Sequence, residues 1–126
     1  MESKKILIVD DSKEDVQTMV SLLEDSGYSQ IDSADSGNKA MEKVKSFKPD
    51  VVIIDVILPD MDGFDVCMKI RALGDKEPEP KIIMITRYLD KINAKIAVAS
   101  GANEIIEKRQ NFKTLCETVD SVFGKS

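Results

Sequence analysis

The chain has no histidine and no tryptophan, and aromatic residues make up only 5% of it. Without imidazole, every mechanism that needs histidine as base, nucleophile or metal ligand is excluded. Serine hydrolases, most zinc enzymes and the histidine-bearing donors of phosphorelays are removed together. Cysteine is scarce: Cys67 and Cys116 lie far apart, each inside an apolar helical pattern, whereas a metal or redox site wants close pairs. Both are expected to be buried thiols in a reducing cytoplasm. Long apolar runs are also missing, the longest being of strand length against the roughly 18 residues of a membrane span. After Met1-Glu2-Ser3-Lys4-Lys5 only Ile6 to Val9 precede Asp10, too few for the apolar middle of a secretory signal. The expected location is therefore cytoplasmic, with no membrane partner. Nor is there an excess of basic charge: 18 Lys and Arg stand against 23 Asp and Glu, a formal charge of −5. The positive field that phosphate backbones require is absent, and no direct nucleic-acid partner is expected.

What is present is enough for one folded unit. The 126 residues are 42% hydrophobic and 33% charged, which suits a single domain over residues 1–126 with its own core. No internal repeat, low-complexity segment or linker interrupts it. Short β-branched runs alternate with helical periodicity. Ile6-Leu7-Ile8-Val9 leads into a helix with Val16, Met19, Val20 and Leu23 on one face, ending near Ser26-Gly27. A weak strand from about Gln30 to Ala34 precedes a helix from about Asn38 to Phe47, closed by Pro49. Val51 to Ile54 and Ile82 to Ile85 are continuous apolar runs, as expected of parallel strands buried on both faces. A third helix begins near Gly63 with Phe64, Val66, Cys67 and Ile70, and ends around Leu73-Gly74; Asp75 to Pro80 reads as a loop. A fourth helix is expected over about Asp90 to Ser100, a short strand over Glu104 to Glu107, and a fifth helix carrying Phe112, Leu115, Cys116, Val119 and Phe123. The fold class is α/β: a (βα)5, doubly wound, five-stranded parallel sheet in the flavodoxin-like order 2-1-3-4-5.

In such sheets ligands gather beyond the carboxyl ends of the strands, where the chain order switches. The residues at those ends are Asp10 and Asp11 after the first strand, Asp55 after the third, Thr86 after the fourth, and Glu107-Lys108 after the last. Taken singly, each has a bland explanation. Asp10-Asp11-Ser12 suits a helix N-cap, and Lys108 is one of many lysines. Taken together they fall on one edge of one sheet. Three carboxylates there carry three negative charges, Lys108 offsets one, and a divalent cation balances the other two. Oxygen donors without histidine or cysteine select Mg²⁺, which keeps waters that a phosphate oxygen can replace.

This constellation resembles the receiver domain of bacterial response regulators, the CheY-like domain. The resemblance runs through Ile6-Leu7-Ile8-Val9-Asp10-Asp11-Ser12, then Asp55-Val56-Ile57-Leu58-Pro59-Asp60-Met61-Asp62-Gly63, then Ile85-Thr86, then Gly101-Ala102-Asn103-Glu104 leading to Lys108. It implies that Asp55 accepts a phosphoryl group from a phosphohistidine on a histidine kinase or histidine phosphotransfer protein. It also implies that Asp10, Asp11, Asp55 and the backbone carbonyl of Ile57 hold Mg²⁺, and that Lys108 and Thr86 meet the phosphoryl oxygens. Asp62 would cap the third helix and Pro59 stiffen the loop. The implied function is a two-component signalling switch rather than a conventional enzyme. Its face of fourth helix, fifth strand and fifth helix would serve a downstream target, an output domain or a second copy of the chain in a homodimer. Two other classes on similar folds fit less well. A haloacid-dehalogenase-like phosphatase wants an aspartate where Ile57 stands, and a flavodoxin-like carrier wants a phosphate loop where Asp10 and Asp11 stand. A degenerate receiver acting as a scaffold is the third alternative.

Three positions depart from the family pattern. Arg109 follows Lys108 where proline is usual, Ile105 replaces an aromatic, and Arg87-Tyr88 follow Thr86 where a small residue is usual. Arg87 and Tyr88 are expected either to crowd water away from the site beside Ile57 or, for Arg87, to extend into solvent.

Overall fold

The computed structural model describes residues 4–74, 79–89, 94–108 and 112–124. Its strands are β1 (Lys5–Val9), β2 (Gln30–Ala34), β3 (Val51–Asp55), β4 (Lys81–Thr86) and β5 (Glu104–Glu107). Its helices are α1 (Lys13–Asp25), α2 (Gly37–Phe47), α3 (Gly63–Leu73), α4 (Ala94–Ala99) and α5 (Leu115–Val122). All strand pairs are parallel, in the order β2-β1-β3-β4-β5, as the alternation of runs and helical patterns requires.

The register explains why the three central strands are apolar throughout. Ile8, Ile53 and Ile83 lie side by side, as do Val9, Ile54 and Met84. Successive side chains point to opposite faces. On one face Leu7, Val52, Ile54 and Met84 meet Ala40 and Val44 of α2 and Val66, Cys67 and Ile70 of α3. On the other, Ile6, Ile8, Ile53, Ile83 and Ile85 meet Met19 and Leu23 of α1 and Leu115 and Val119 of α5. Each Ile, Leu, Val or Met among them, when fully buried, contributes about 1.5–3 kcal/mol.

Local signals set the helix ends that face the carboxyl edge. Ser12 caps α1 by accepting the Asp15 amide, Ser36 caps α2, and Asp62 caps α3 by accepting the Asp65 amide. At the other end of α2, Lys48 takes a left-handed backbone (φ 52°) ahead of Pro49, which cannot continue the helix. The loop after β3 folds back on itself: Gly63 donates to the Val56 carbonyl at 2.7 Å, and Ile57 and Asp62 form an antiparallel bridge. A Cβ at Gly63 would strike the Asp55 carbonyl oxygen, so only glycine allows this close approach.

Three readings need correction or limits. Phe112 belongs to the core but lies before the range of α5, with φ 61°; the turn residues Lys113 and Thr114 separate it from the helix whose apolar spacing it matched. Cys116 is only partly buried, whereas Cys67 is buried. The described part of the fourth helix begins at Ala94, and of its apolar side chains Ala97 is buried while Ile96 and Val98 are exposed. Asp90 to Asn93, the segment Asp75 to Pro78 and Arg109 lie outside the described residues.

Candidate functional site

The sheet brings every expected site residue to its carboxyl edge. Asp10 follows β1, Asp55 ends β3, Thr86 ends β4 and Lys108 follows β5, and all four are buried. Asp11 is exposed beside them. One oxygen from each of Asp10, Asp11 and Asp55 lies within 4.8 Å of the others. A cavity of about 260 Å³ opens there, lined by these residues together with Ser12, Asp15, Ile57, Arg87 and Tyr88.

Capping duty at α1 falls to Ser12, so the two preceding aspartates are not spent on the helix. Asp10 Oδ1 accepts the Ser12 amide at 2.9 Å and leaves Oδ2 for the Lys108 ammonium at 2.7 Å. Lys108 Nζ donates equally closely to Asp55 Oδ2, at 2.7 Å, and at 2.9 Å to Asp15 Oδ2. An ammonium has three protons, and here each has a carboxylate. Asp55 Oδ1 accepts the Ile57 amide at 3.1 Å, which orients the carboxylate over the loop. Lys108 and Thr86 are also joined through the backbone, Lys108 N donating to the Thr86 carbonyl at 2.9 Å. The Thr86 hydroxyl oxygen accepts the Tyr88 amide at 3.0 Å.

The electrostatics follow from this packing. Burial pushes the Asp10 carboxyl above the ordinary value, against the pull of Lys108, and the charge of Asp55 adds to the rise. Burial alone would raise Asp15 as well, but Lys108 and Arg87 outweigh it and hold the group below its usual range. Lys108 is moved upward: desolvation opposes its charge, and hydrogen bonds to Asp10, Asp55 and Asp15 overcome it.

Asp15 is the residue that sequence reasoning missed. An acid in the first turn of a helix is explained by the helix dipole alone, yet Asp15 stands one turn after Asp11, on the side of α1 that faces the site. That spacing was the available signal. Arg87 does not extend freely into solvent. Its guanidinium bonds both oxygens of Asp15, at 3.0 and 2.8 Å, while Ile57 and Tyr88 share the same cavity wall.

The donor set fits a hard divalent cation. Three carboxylates converge with no histidine or cysteine among them. Counting Asp15, four carboxylates face two cations, Lys108 and Arg87, and the two negative charges left over match such an ion.

A doubly wound α/β protein with an acidic pocket and a buried lysine at its switch point is thus defined by fold and site. The family model for the response regulator receiver domain matches residues 6–120. The chain belongs to that family and is a receiver domain of a two-component response regulator. It is 35% identical over 124 residues to the alkaline phosphatase synthesis transcriptional regulatory protein PhoP of Bacillus subtilis, covering 98% of this chain and 50% of that protein. It is 31% identical over 105 residues to the response regulator MprA of Mycolicibacterium vanbaalenii, covering 82% of this chain and 43% of the relative. The chain therefore spans about half the length of the curated relatives it matches. Among solved structures, the chemotaxis protein CheY4 of Vibrio cholerae superposes with a TM-score of 0.86 at 30% identity, covering 96% of this chain and 99% of that one. A CheY-like receiver domain protein from Methanospirillum hungatei gives 0.86 at 28% identity, covering 98% and 95%. Among the described residues no helix is long and apolar enough to cross a membrane.

Proposed function

We propose that the chain is a phosphoacceptor switch whose reacting group is Asp55. The observation that carries this reading is the contact of a buried lysine with two buried aspartates, Asp10 and Asp55, at the open end of the sheet. In the transfer, an Asp55 oxygen forms a bond to the phosphorus of a phosphohistidine on a histidine kinase or phosphotransfer protein. The P–N bond breaks, its electron pair returns to the ring nitrogen, and a ring protonated at its other nitrogen leaves as neutral imidazole. Asp10, Asp11, Asp55 and the Ile57 carbonyl would hold Mg²⁺, which when bound offsets the charge of the entering phosphoryl oxygens. Lys108 orients the carboxylate before transfer and keeps an ammonium proton beside the new phosphoryl oxygens afterwards. Thr86, one hydrogen bond away from the Lys108 backbone, turns its hydroxyl toward the same group and draws the ends of β4 and β5 with it.

The chain is then a binding module that catalyses its own modification, not an enzyme with turnover on a separate substrate. Its downstream partner is an output domain or a separate protein, met on the face of α4, β5 and α5, where Ile96 and Val98 are exposed; the same face could join two copies. The relative named as a transcriptional regulatory protein favours a DNA-binding output, with this chain itself making no nucleic-acid contact. A cytoplasmic location goes with this role.

The test is incubation with acetyl phosphate and Mg²⁺, read by intact mass. One added phosphoryl group is expected on the wild-type chain and none on Asp55→Asn. Failure of the wild type to gain it, or an equal gain by the variant, would sink the proposal.

A further inference from the structure

Asp15 places one oxygen, Oδ2, between two cations: Lys108 Nζ at 2.9 Å and Arg87 Nη2 at 2.8 Å. It reaches the cavity from the first turn of α1, while Arg87 reaches it from the residue after β4. The pair therefore spans the mouth from one side of the sheet edge to the other. Asp15 is largely buried, with its side chain 13% exposed, whereas Arg87 is 57% exposed. Neither belongs to the set of residues assigned above to the metal or the phosphoryl group.

A carboxylate held by two cations has the binding chemistry of the group that the site is built to receive. A phosphoryl oxygen is likewise an anionic acceptor that charged N–H donors bind closely. Resting on the phosphoacceptor reading above, we infer that Asp15 is an internal stand-in for the phosphoryl group and that Arg87 is a second cation for that group beside Lys108. In the unmodified chain Asp15 occupies both cations. When the phosphoryl group forms on Asp55, its outer oxygens compete with Asp15 for Arg87 and for one proton of Lys108.

Two consequences separate this from a surface ion pair. Arg87 adds to the affinity for a bound anion, and Asp15 subtracts from it. A surface pair distant from the ligand would do neither, since exposed pairs contribute little and only to folding. Both bonds to Asp15 come from the one nitrogen Nη2, so the planar guanidinium has further donors with which to meet a second anionic oxygen, which a lysine does less well.

The experiment measures trifluoroberyllate binding to the full chain at saturating Mg²⁺, by chemical-shift titration. Unfolding midpoints are recorded for every variant to keep folding separate from binding. Arg87→Ala is expected to bind the mimic roughly five- to tenfold more weakly and Arg87→Lys to recover part of the loss. Asp15→Asn, close in shape but neutral, is expected to bind about threefold more tightly or better. That gain shrinks in the double variant Asp15→Asn/Arg87→Ala, because one of the two released cations is gone. Unchanged affinity in Arg87→Ala, or weaker binding in Asp15→Asn, overturns the inference while leaving Asp55 as acceptor. A wild-type chain that binds no mimic overturns the phosphoacceptor reading, and this inference with it.

Discussion

Lys108 Nζ stands 2.7 Å from Asp55 Oδ2, across 53 residues of sequence, with both side chains almost shielded from solvent. The ammonium is the internal counter-ion of a carboxylate cluster, so its removal leaves buried negative charges uncompensated. Lys108→Met is expected to lose about 3–5 kcal/mol of stability without divalent cation. Added Mg²⁺ should restore more stability to the variant than it adds to the wild type, since the ion then meets no competing cation. Urea unfolding with and without Mg²⁺ checks both halves; a variant as stable as wild type in the absence of the ion would contradict the assignment.

Most of the site was legible because strand ends in a parallel sheet converge, whatever the side chains are. Continuous apolar runs at Val51–Ile54 and Ile82–Ile85 marked the central strands, and Asp55 and Thr86 end those strands. Connections made by single side chains across the fold were not legible. Asp15 looked like an ordinary first-turn acid. Nothing in the spacing around Arg71 sets it apart, yet it ties α3 to the chain entering β4 and β5. Tyr28, in the turn after α1, donates its hydroxyl to Asp120 of α5. Periodicity reports which face is buried, and it carries no information on which distant group a polar tip will meet.

Arg71 gives the clearest stability prediction. Its guanidinium donates to the Gly101 carbonyl at 3.0 and 2.8 Å, to the Pro80 carbonyl at 2.6 Å and to Asn103 Oδ1 at 2.8 Å. Asn103 Oδ1 also accepts the Ile82 amide at 2.8 Å, so the fork braces the residue just before β5 against the second residue of β4. A lysine keeps the charge and loses the planar fork. Arg71→Lys is expected to cost about 1–3 kcal/mol, read as a lower urea midpoint with unchanged slope. A midpoint equal to wild type would show that the carbonyls find other donors.

Gly63 links the fold to the acceptor. Because a Cβ there meets the Asp55 carbonyl oxygen and crowds the backbone of Val56 and the tip of Met84, Gly63→Ala must displace the chain that carries the reacting carboxylate. The expected cost is about 1–3 kcal/mol, together with slower uptake of phosphoryl from acetyl phosphate even where the variant is fully folded. Normal uptake in a folded variant would mean that the loop absorbs the methyl group without moving Asp55.

Asp60 does for α2 what Asp62 does for α3, but across a gap of chain. Its two carboxylate oxygens accept the amides of Gly37 and Asn38 at 2.8 and 2.9 Å, and those bonds hold its carboxyl below the usual range. The loop after Asp55 is thereby fastened to the start of α2, with Met61 packed over Gly37. Asp60→Ala should speed hydrogen exchange at the Gly37 and Asn38 amides several-fold while leaving α5 amides unchanged. Exchange unaltered at both positions would show that water serves those donors as well.

Tyr28 supplies a pH test away from the acidic pocket. Burial first, and then the hydrogen bond and charge of Asp120, raise its phenol well above the ordinary tyrosine value of 10.0. A group whose folded pKa is raised contributes stability that is complete below the unfolded value and lost as pH climbs toward the folded one. The chain has two tyrosines, so Tyr88→Phe leaves Tyr28 as the sole tyrosinate signal. In that background, absorbance at alkaline pH should rise only with unfolding, above about pH 10. Adding Asp120→Asn should bring ionisation to lower pH in the still-folded chain, because the neutral amide removes the repulsion that keeps the phenol protonated. Ionisation near the ordinary value with Asp120 intact would mean that the Tyr28 hydroxyl is open to solvent and that the tie between α1 and α5 is not made.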